Sequence, residues 1–202
     1  MRSSRSLHDP GTTLAVVTDV APARRADAQR SIATILEAAR EVLAVDPNAE
    51  LQAIVERSGL NRSTVYRHFP RRTDLVSALY GRYLETLTAA VRTLDPHAPD
   101  ALAELRRVTV EVLRIADHFR PFRYSPTFGD AFATYREQFV PPVRAMMDRG
   151  QRDGVLRQNL TIDELVLGWG VSVPNASMRV TEGSWTVDEA ADFMLVLIGR
   201  RR

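Results

Sequence analysis

The sequence predicts an all-α protein in which a small N-terminal helical domain precedes a larger helical domain. Apolar residues recur at the spacing of amphipathic helices through most of the chain after Asp27. No stretch alternates apolar and polar residues for long enough to build a sheet. Proline and glycine interrupt the helical pattern at intervals, so we expect about nine helices.

The predicted helices group into two domains behind a tail. Residues 1–26 mix Ser, Pro, Gly, Thr and Arg without helical periodicity, so we expect a flexible tail there. Residues 27–72 hold the first three helices, and residues 73–202 hold the others.

Start and stop signals define the three helices of the first domain. The first covers about 27–46, and the second ends at Gly59. The third covers Asn61–Phe69, because Asn61 is a favourable N-cap and Pro70 cannot continue a helix.

The second domain is predicted to contain long helices with short connections. The expected helices are Thr73–Leu94, Asp100–His118, Phe128–Arg149, Thr161–Val180 and Thr186–Ile198, with at most one short helix in Arg120–Pro126. The last two begin with capping boxes, Thr161 to Glu164 and Thr186 to Glu189. Pro141 and Pro142 predict a kink or a new helix start within the third.

Composition excludes many kinds of enzyme. The chain has no cysteine, and all 27 of its Lys and Arg residues are arginine, so thiolate chemistry and lysine-based catalysis are impossible. The four histidines show no metal-ligand spacing: His8, His68, His97 and His118. We therefore expect no metal, no cofactor and no enzymatic activity. No targeting or membrane segment is visible, which predicts a cytoplasmic protein.

Residues 49–69 have the pattern of a helix-turn-helix, in which two short helices flank a tight turn at Gly59. Positive charge concentrates at its end, where Glu56 is the one acid among five arginines: Arg57, Arg62, Arg67, Arg71 and Arg72. Arginine donates two parallel hydrogen bonds to phosphate, so this cluster predicts an anionic partner, and together with the helix-turn-helix it favours double-stranded DNA. A solvated charged face is the alternative interpretation. The candidate DNA-binding residues are Arg62, Ser63, Thr64, Tyr66, Arg67, His68, Arg71 and Arg72.

The segment Arg57–Leu75, and above all the Thr-Val-Tyr-Arg-His-Phe stretch Thr64–Phe69, resembles the DNA-binding region of the TetR family of bacterial transcriptional regulators. The resemblance covers about residues 27–80, and Arg149–Arg157 is similar to a turn of the family's second domain. It implies a homodimer that binds a palindromic operator, most simply as a repressor, and a C-terminal domain that takes a small-molecule effector.

The resemblance also assigns roles to single positions. Thr64, Tyr66 and His68 match DNA-contact positions, and Arg72 stands where the family usually has a phosphate-binding lysine. Two residues depart from the family pattern. Arg71 replaces a capping residue, and Glu50 replaces a Thr or Ser at the start of the second helix.

Aromatic residues of the second domain are the candidate effector site, although an ordinary core is an alternative for the stripe Phe128–Phe139. The candidates are Tyr83, Phe119, Phe122, Tyr124, Phe128, Phe132 and Tyr135. Trp169, between Gly168 and Gly170, is interpreted as a point of close helix approach.

For the homodimer we expect an interface on the last two helices, which are apolar around much of their circumference. The residues concerned are Leu165, Leu167, Val171, Val173, Phe193, Leu195, Val196 and Ile198.

Two other functions compete with a ligand-responsive repressor. One is a helical carrier or enzyme for an apolar molecule, with a vestigial DNA-binding motif. The other is a DNA-binding regulator that responds to a protein partner instead of a small molecule. The two basic residues Arg24 and Arg25 are interpreted either as a minor-groove arm or as part of an inert tail.

Overall fold

The computed structural model describes residues 20–120 and 128–200, with side chains over 24–120 and 136–200. This part of the chain forms eight helices: α1 Val20–Val45, α2 Leu51–Ser58, α3 Arg62–His68, α4 Arg72–Arg92, α5 Ala101–His118, α6 Phe128–Arg152, α7 Ile162–Thr181 and α8 Val187–Ile198. Its one β-type contact is an isolated bridge between Leu156 and Gly199, and the predicted all-α class is confirmed. The predicted short helix in Arg120–Pro126 lies almost wholly outside the described residues. None of the described helices has the combined length and apolarity needed to cross a bilayer.

Helices α1, α2 and α3 form the N-terminal head. Their contact surface is built from Ile35, Leu43, Ile54 and Val65, each at most 2% exposed. α1 packs on both α2 and α3. Because each short helix buries one apolar face on α1, neither could hold its position alone.

Helices α5 to α8 form the C-terminal body. Helix α4 joins the head to this body, since it contacts α1 on one side and α5 and α6 on the other. In the body, α5, α7 and α8 pack against one another. A buried hydrogen bond ties two of them together: the Trp169 indole N–H donates to Thr109 Oγ1 at 2.9 Å. Thr109 donates in turn to the Leu105 carbonyl at 2.7 Å, so the buried polar atoms of this pair are satisfied.

The first helix begins at Val20, so the predicted start at Asp27 and the tail boundary at residue 26 are wrong. Pro22, one of the residues in the predicted tail, lies in the first turn of α1. The backbone N–H groups of a first turn have no partner within the helix, so proline costs little there.

Helix α6 continues through Pro141 and Pro142, so the new helix start that was one predicted outcome does not occur. The two prolines lack N–H groups and leave carbonyls one turn earlier without helical partners. Glu137 and Gln138 of that turn are exposed, and water can therefore satisfy the carbonyls.

The helix starts confirm two of the three predicted caps. Both capping boxes are present, and at Thr186 the hydroxyl accepts from the Glu189 N–H at 3.2 Å while Glu189 accepts from the Thr186 N–H at 2.7 Å. Asn61 occupies the N-cap position of α3, but its side chain makes no capping hydrogen bond.

Candidate nucleic-acid interface

A tight turn joins α2 to α3 and fixes the angle between them. Gly59 adopts the left-handed conformation with φ +66°, which side chains disfavour. Ser58 stabilises the turn from both sides, because its hydroxyl donates to the Val55 carbonyl at 2.9 Å and accepts from the Leu60 N–H at 3.2 Å. The predicted helix-turn-helix is therefore present.

Helix α3 presents its polar side outward. Val65 is fully buried against the head, and Phe69 just beyond the helix is 7% exposed. The candidate DNA-binding residues occupy the rest of the circumference: Arg62, Ser63 and Arg67 are exposed, and Thr64, Tyr66 and His68 are half-buried. The Nε2 atom of His68 is buried without a hydrogen-bond partner, so this nitrogen does not face the outer surface.

Two arginines around the motif form ion pairs within the protein. Arg57 reaches the Glu41 carboxylate of α1 at 2.5 Å. Arg71 reaches Asp74 at 2.7 Å, and its guanidinium lowers the pKa of the Asp74 carboxyl. Arg71 makes no capping hydrogen bond from its own side chain, but this ion pair places a carboxylate at the positive end of α4.

Arg72 binds carbonyl oxygens of the loop between α1 and α2. Its guanidinium donates to the Pro47 carbonyl at 2.5 Å and to the Ala49 carbonyl at 2.8 Å. The side chain therefore holds the start of α4 against the N-terminal side of α2. A phosphate contact by Arg72 stays a prediction.

The remaining two arginines lie on α3. Within the described residues, neither Arg62 nor Arg67 has a carboxylate or carbonyl acceptor. Arg62 lies instead over the ring of Tyr66, with 4.9 Å between its Cζ atom and the ring centroid. α3 thus carries two exposed guanidinium groups whose donors are available to an external acceptor.

A contact between the head and the body had no signal in the sequence. Arg40 of α1 is held by Glu37 at 2.6 Å and donates to the His118 carbonyl, at the end of α5, at 3.4 Å. Burial and the nearby Arg40 charge lower the pKa of His118. The two partners are 78 positions apart, so no local pattern could have indicated the contact.

The candidate effector residues divide into those the structure describes and those it does not. Tyr83 and Phe119 are buried and in contact, with 5.2 Å between ring centroids. Phe122 and Tyr124, and the side chains of Phe128, Phe132 and Tyr135, lie outside the described residues. An open groove of about 780 Å³ between α4 and α5 is lined by none of the seven candidates.

The predicted dimer residues separate into two sets. Leu165, Val173, Leu195 and Ile198 are at most 8% exposed and belong to the core of one subunit, so including them in an interface was wrong. Exposed apolar side chains on the same helices are Leu167, Val171, Phe193, Val196 and Leu197. The interpretation that Gly168 and Gly170 around Trp169 mark a close approach of two helices is also wrong within the described residues. A Cβ added at either glycine would meet no atom within 4 Å.

Comparison with known families supports the motif assignment. The family described as bacterial regulatory proteins, tetR family, matches residues 35–79, which include all of α2 and α3. The matched segment is thus similar to the TetR family of bacterial regulatory proteins. This match confirms the resemblance seen in the sequence, and similarity to a family of regulatory proteins agrees with the prediction that the chain is not an enzyme.

TetR-family relatives extend the similarity beyond the motif. The HTH-type transcriptional repressor LfrR of Mycolicibacterium smegmatis is 37% identical over 99 residues, which are 49% of this chain and 52% of LfrR. The alignment thus spans about half the length of that curated relative. A crystal structure of LfrR with proflavine covers 86% of this chain and 94% of its own, with a TM-score of 0.66 and 25% identity. PfmR of Thermus thermophilus shares the fold, with a TM-score of 0.67 and 19% identity over 83% of this chain and 99% of its own.

Proposed function

We propose that this chain is a DNA-binding transcriptional repressor of the TetR family that docks α3 in the major groove of a palindromic operator. The observation that supports this most is the exposed polar surface of α3, where Arg62 and Arg67 lack acceptors within the described residues while buried Val65 anchors the helix to the head. A rigid helix with free guanidinium groups is what major-groove binding requires.

The test is binding to a duplex recovered by the full chain from a randomised pool. Affinity should fall steeply with salt, because each arginine–phosphate contact releases counterions. Arg67→Ala should weaken binding to all sequences and reduce the slope of log K against log salt by about 1. The control Arg179→Ala, on α7, should leave the slope unchanged. A salt-independent affinity, or an equal effect of both variants, would contradict the proposal.

A palindromic operator requires two copies of α3, and we propose that α7 and α8 supply the interface between subunits. Leu167 and Val171, 63% and 56% exposed, lie one turn apart on α7, and Phe193, Val196 and Leu197 are 40–72% exposed on α8. Because α7 and α8 pack on each other, these residues form two neighbouring apolar stripes. A surface of this kind is typical of a subunit interface. In such a dimer, the two copies of α3 should lie about 34 Å apart, one turn of DNA.

The proposed effector is a small apolar molecule that binds in the helical body and releases the operator. The related LfrR is seen in complex with proflavine, which makes proflavine a suitable first probe. Proflavine should raise the Tm of the protein and dissociate the protein–duplex complex. If neither proflavine nor a panel of apolar aromatic compounds does so, a regulator that responds to a protein partner is favoured.

A further inference from the structure

The two free arginines of α3 differ in how they are held. Arg67 is exposed and has no ring or acceptor contact within the described residues. Arg62 is also exposed, but its guanidinium lies 4.9 Å from the centroid of the Tyr66 ring. The residues are four positions apart, so their side chains meet on one face of the helix. Arg62 is therefore oriented before any partner binds.

The ring that orients Arg62 is itself fixed. Tyr66 is half-buried, and its ring packs against the hydrophobic core of the head. One part of the ring is thus anchored by the protein while another carries the guanidinium. Attraction between a cation and the face of an aromatic ring holds the two groups together.

Contact with a ring face leaves the hydrogen-bonding capacity of Arg62 intact. The five N–H groups of a guanidinium lie in its plane and point outward from its edge, whereas the ring interacts with the cation's charge and flat surface. A carboxylate partner, such as Asp74 for Arg71, would instead occupy two of those donors. Arg62 is consequently both oriented and free to donate.

We propose that Arg62 reads a guanine in each operator half-site and that Tyr66 is the positioning residue that sets this preference through its ring. Guanine presents two acceptors, N7 and O6, along its major-groove edge, and these match the paired donors of arginine. Adenine presents one acceptor and one donor there, so a bidentate contact is lost. Pre-orientation lowers the entropic cost of that contact. This inference rests on the proposed function.

The experiment tests whether the N7 atom of a guanine contacts the Arg62 side chain. The probe is the duplex that the full-length wild-type protein selects from a randomised pool, prepared with 7-deazaguanine at each half-site guanine in turn. This base pairs normally but lacks the N7 acceptor. At one position it should weaken wild-type binding about 10-fold. The same replacement should have no effect on Arg62→Ala and little on Arg62→Lys, which keeps the charge but lacks the planar fork.

Variants of Tyr66 separate the ring from the hydroxyl. Tyr66→Phe should keep the full 7-deazaguanine effect, although its affinity falls for all sequences if the hydroxyl contacts phosphate. Tyr66→Leu keeps apolar volume but not the ring, and should reduce the effect by about 2- to 5-fold. Arg67→Ala is the matched control on the same helix and should keep the full 7-deazaguanine effect. The Tm of each variant verifies folding. If Tyr66→Leu unfolds, the variants Arg62→Ala and Arg62→Lys still test the guanine contact.

Three results have distinct meanings. A selected motif in which no 7-deazaguanine effect depends on Arg62 overturns the guanine assignment and leaves the proposed function standing. An Arg62-dependent effect that persists unchanged in folded Tyr66→Leu overturns the positioning role. If the wild-type protein selects no duplex at all, the proposed function itself fails, and this inference fails with it.

Discussion

At the scale of single residues, Gly59 decides how α3 leaves α2. Its φ of +66° is unfavourable for a side-chain-bearing residue, yet an added Cβ would meet nothing within 4 Å. The cost of substitution is therefore in the backbone alone. Gly59→Ala should lower the free energy of unfolding by about 1–2 kcal/mol and weaken duplex binding, as measured by urea denaturation and fluorescence anisotropy.

Gly183 provides a matched control for Gly59. It has φ +72° with equally open surroundings, but it lies in the turn after α7. Gly183→Ala should cost a similar free energy of unfolding and leave DNA affinity unchanged. A comparable loss of DNA affinity in both variants would show that the effect comes from stability and not from the angle of α3.

At the scale of elements, Arg72 joins the start of α4 to the loop between α1 and α2. Its guanidinium donates to two carbonyls, those of Pro47 and Ala49. Hydrogen bonds from a charged donor contribute more than neutral ones, so Arg72→Ala should lower the free energy of unfolding by about 2 kcal/mol in urea. Arg71→Ala breaks only an exposed ion pair and should cost clearly less than Arg72→Ala. Equal losses would contradict a structural role for Arg72.

Glu104 makes the junction between α4 and α5 sensitive to acid. Its carboxylate accepts from Arg107 at 2.7 Å and from the Asp95 N–H at 2.9 Å, and these donors, Arg107 first, lower its pKa to about 2. The folded state therefore holds this proton less readily than the unfolded state does. The stabilisation is complete above the ordinary pKa of 4.5 and is lost as the pH falls towards about 2.

Glu104→Gln tests this assignment by removing the titrating group. The variant should be less stable than the wild type near neutral pH, and the difference should shrink between pH 4.5 and pH 2. Urea denaturation across that range measures it. In the control Glu111→Gln, the lost carboxylate reaches only Arg114, at 3.9 Å, so the wild-type acid response should remain. A constant difference at every pH would exclude Glu104 as the source.

At the scale of the whole molecule, Val196 tests the proposed subunit interface. It is 72% exposed on α8, so Val196→Glu removes apolar contact area without disturbing the core. The variant should sediment as a monomer and bind a palindromic duplex less tightly. Val45→Glu, at an 86% exposed position on α1, is the matched control and should stay dimeric. A Val196→Glu protein that remains dimeric on dilution would place the interface elsewhere.

Local signals in the sequence were sufficient where the structure depends on near neighbours. The capping boxes at Thr161 and Thr186 were predictable because each partner lies three residues away. The turn at Gly59 was predictable for the same reason. The start of α1 was not, because Pro22 signals a break in general but is tolerated in a first turn.

Contacts between distant parts of the chain could not be predicted in this way. α8 is apolar on several sides, so periodicity could not separate buried Leu195 from exposed Val196. Similarly, a basic cluster in the sequence does not show that Arg72 binds carbonyls while Arg62 remains free. Both distinctions depend on which elements pack together, and the spacing of residues along the sequence does not indicate these tertiary contacts.

The positions of the two tryptophans give the protein two separate optical reporters. Trp169 is 2% exposed inside the body, so its emission should be shifted to the blue and protected from iodide until the fold opens. Trp185 is half-buried against Phe193, with 5.0 Å between ring centroids, beside the apolar stripe on α8. Iodide quenching of Trp185 should therefore decrease when two subunits associate. Unfolding would instead expose Trp169 to iodide and shift its emission to the red, so tryptophan fluorescence distinguishes association from unfolding.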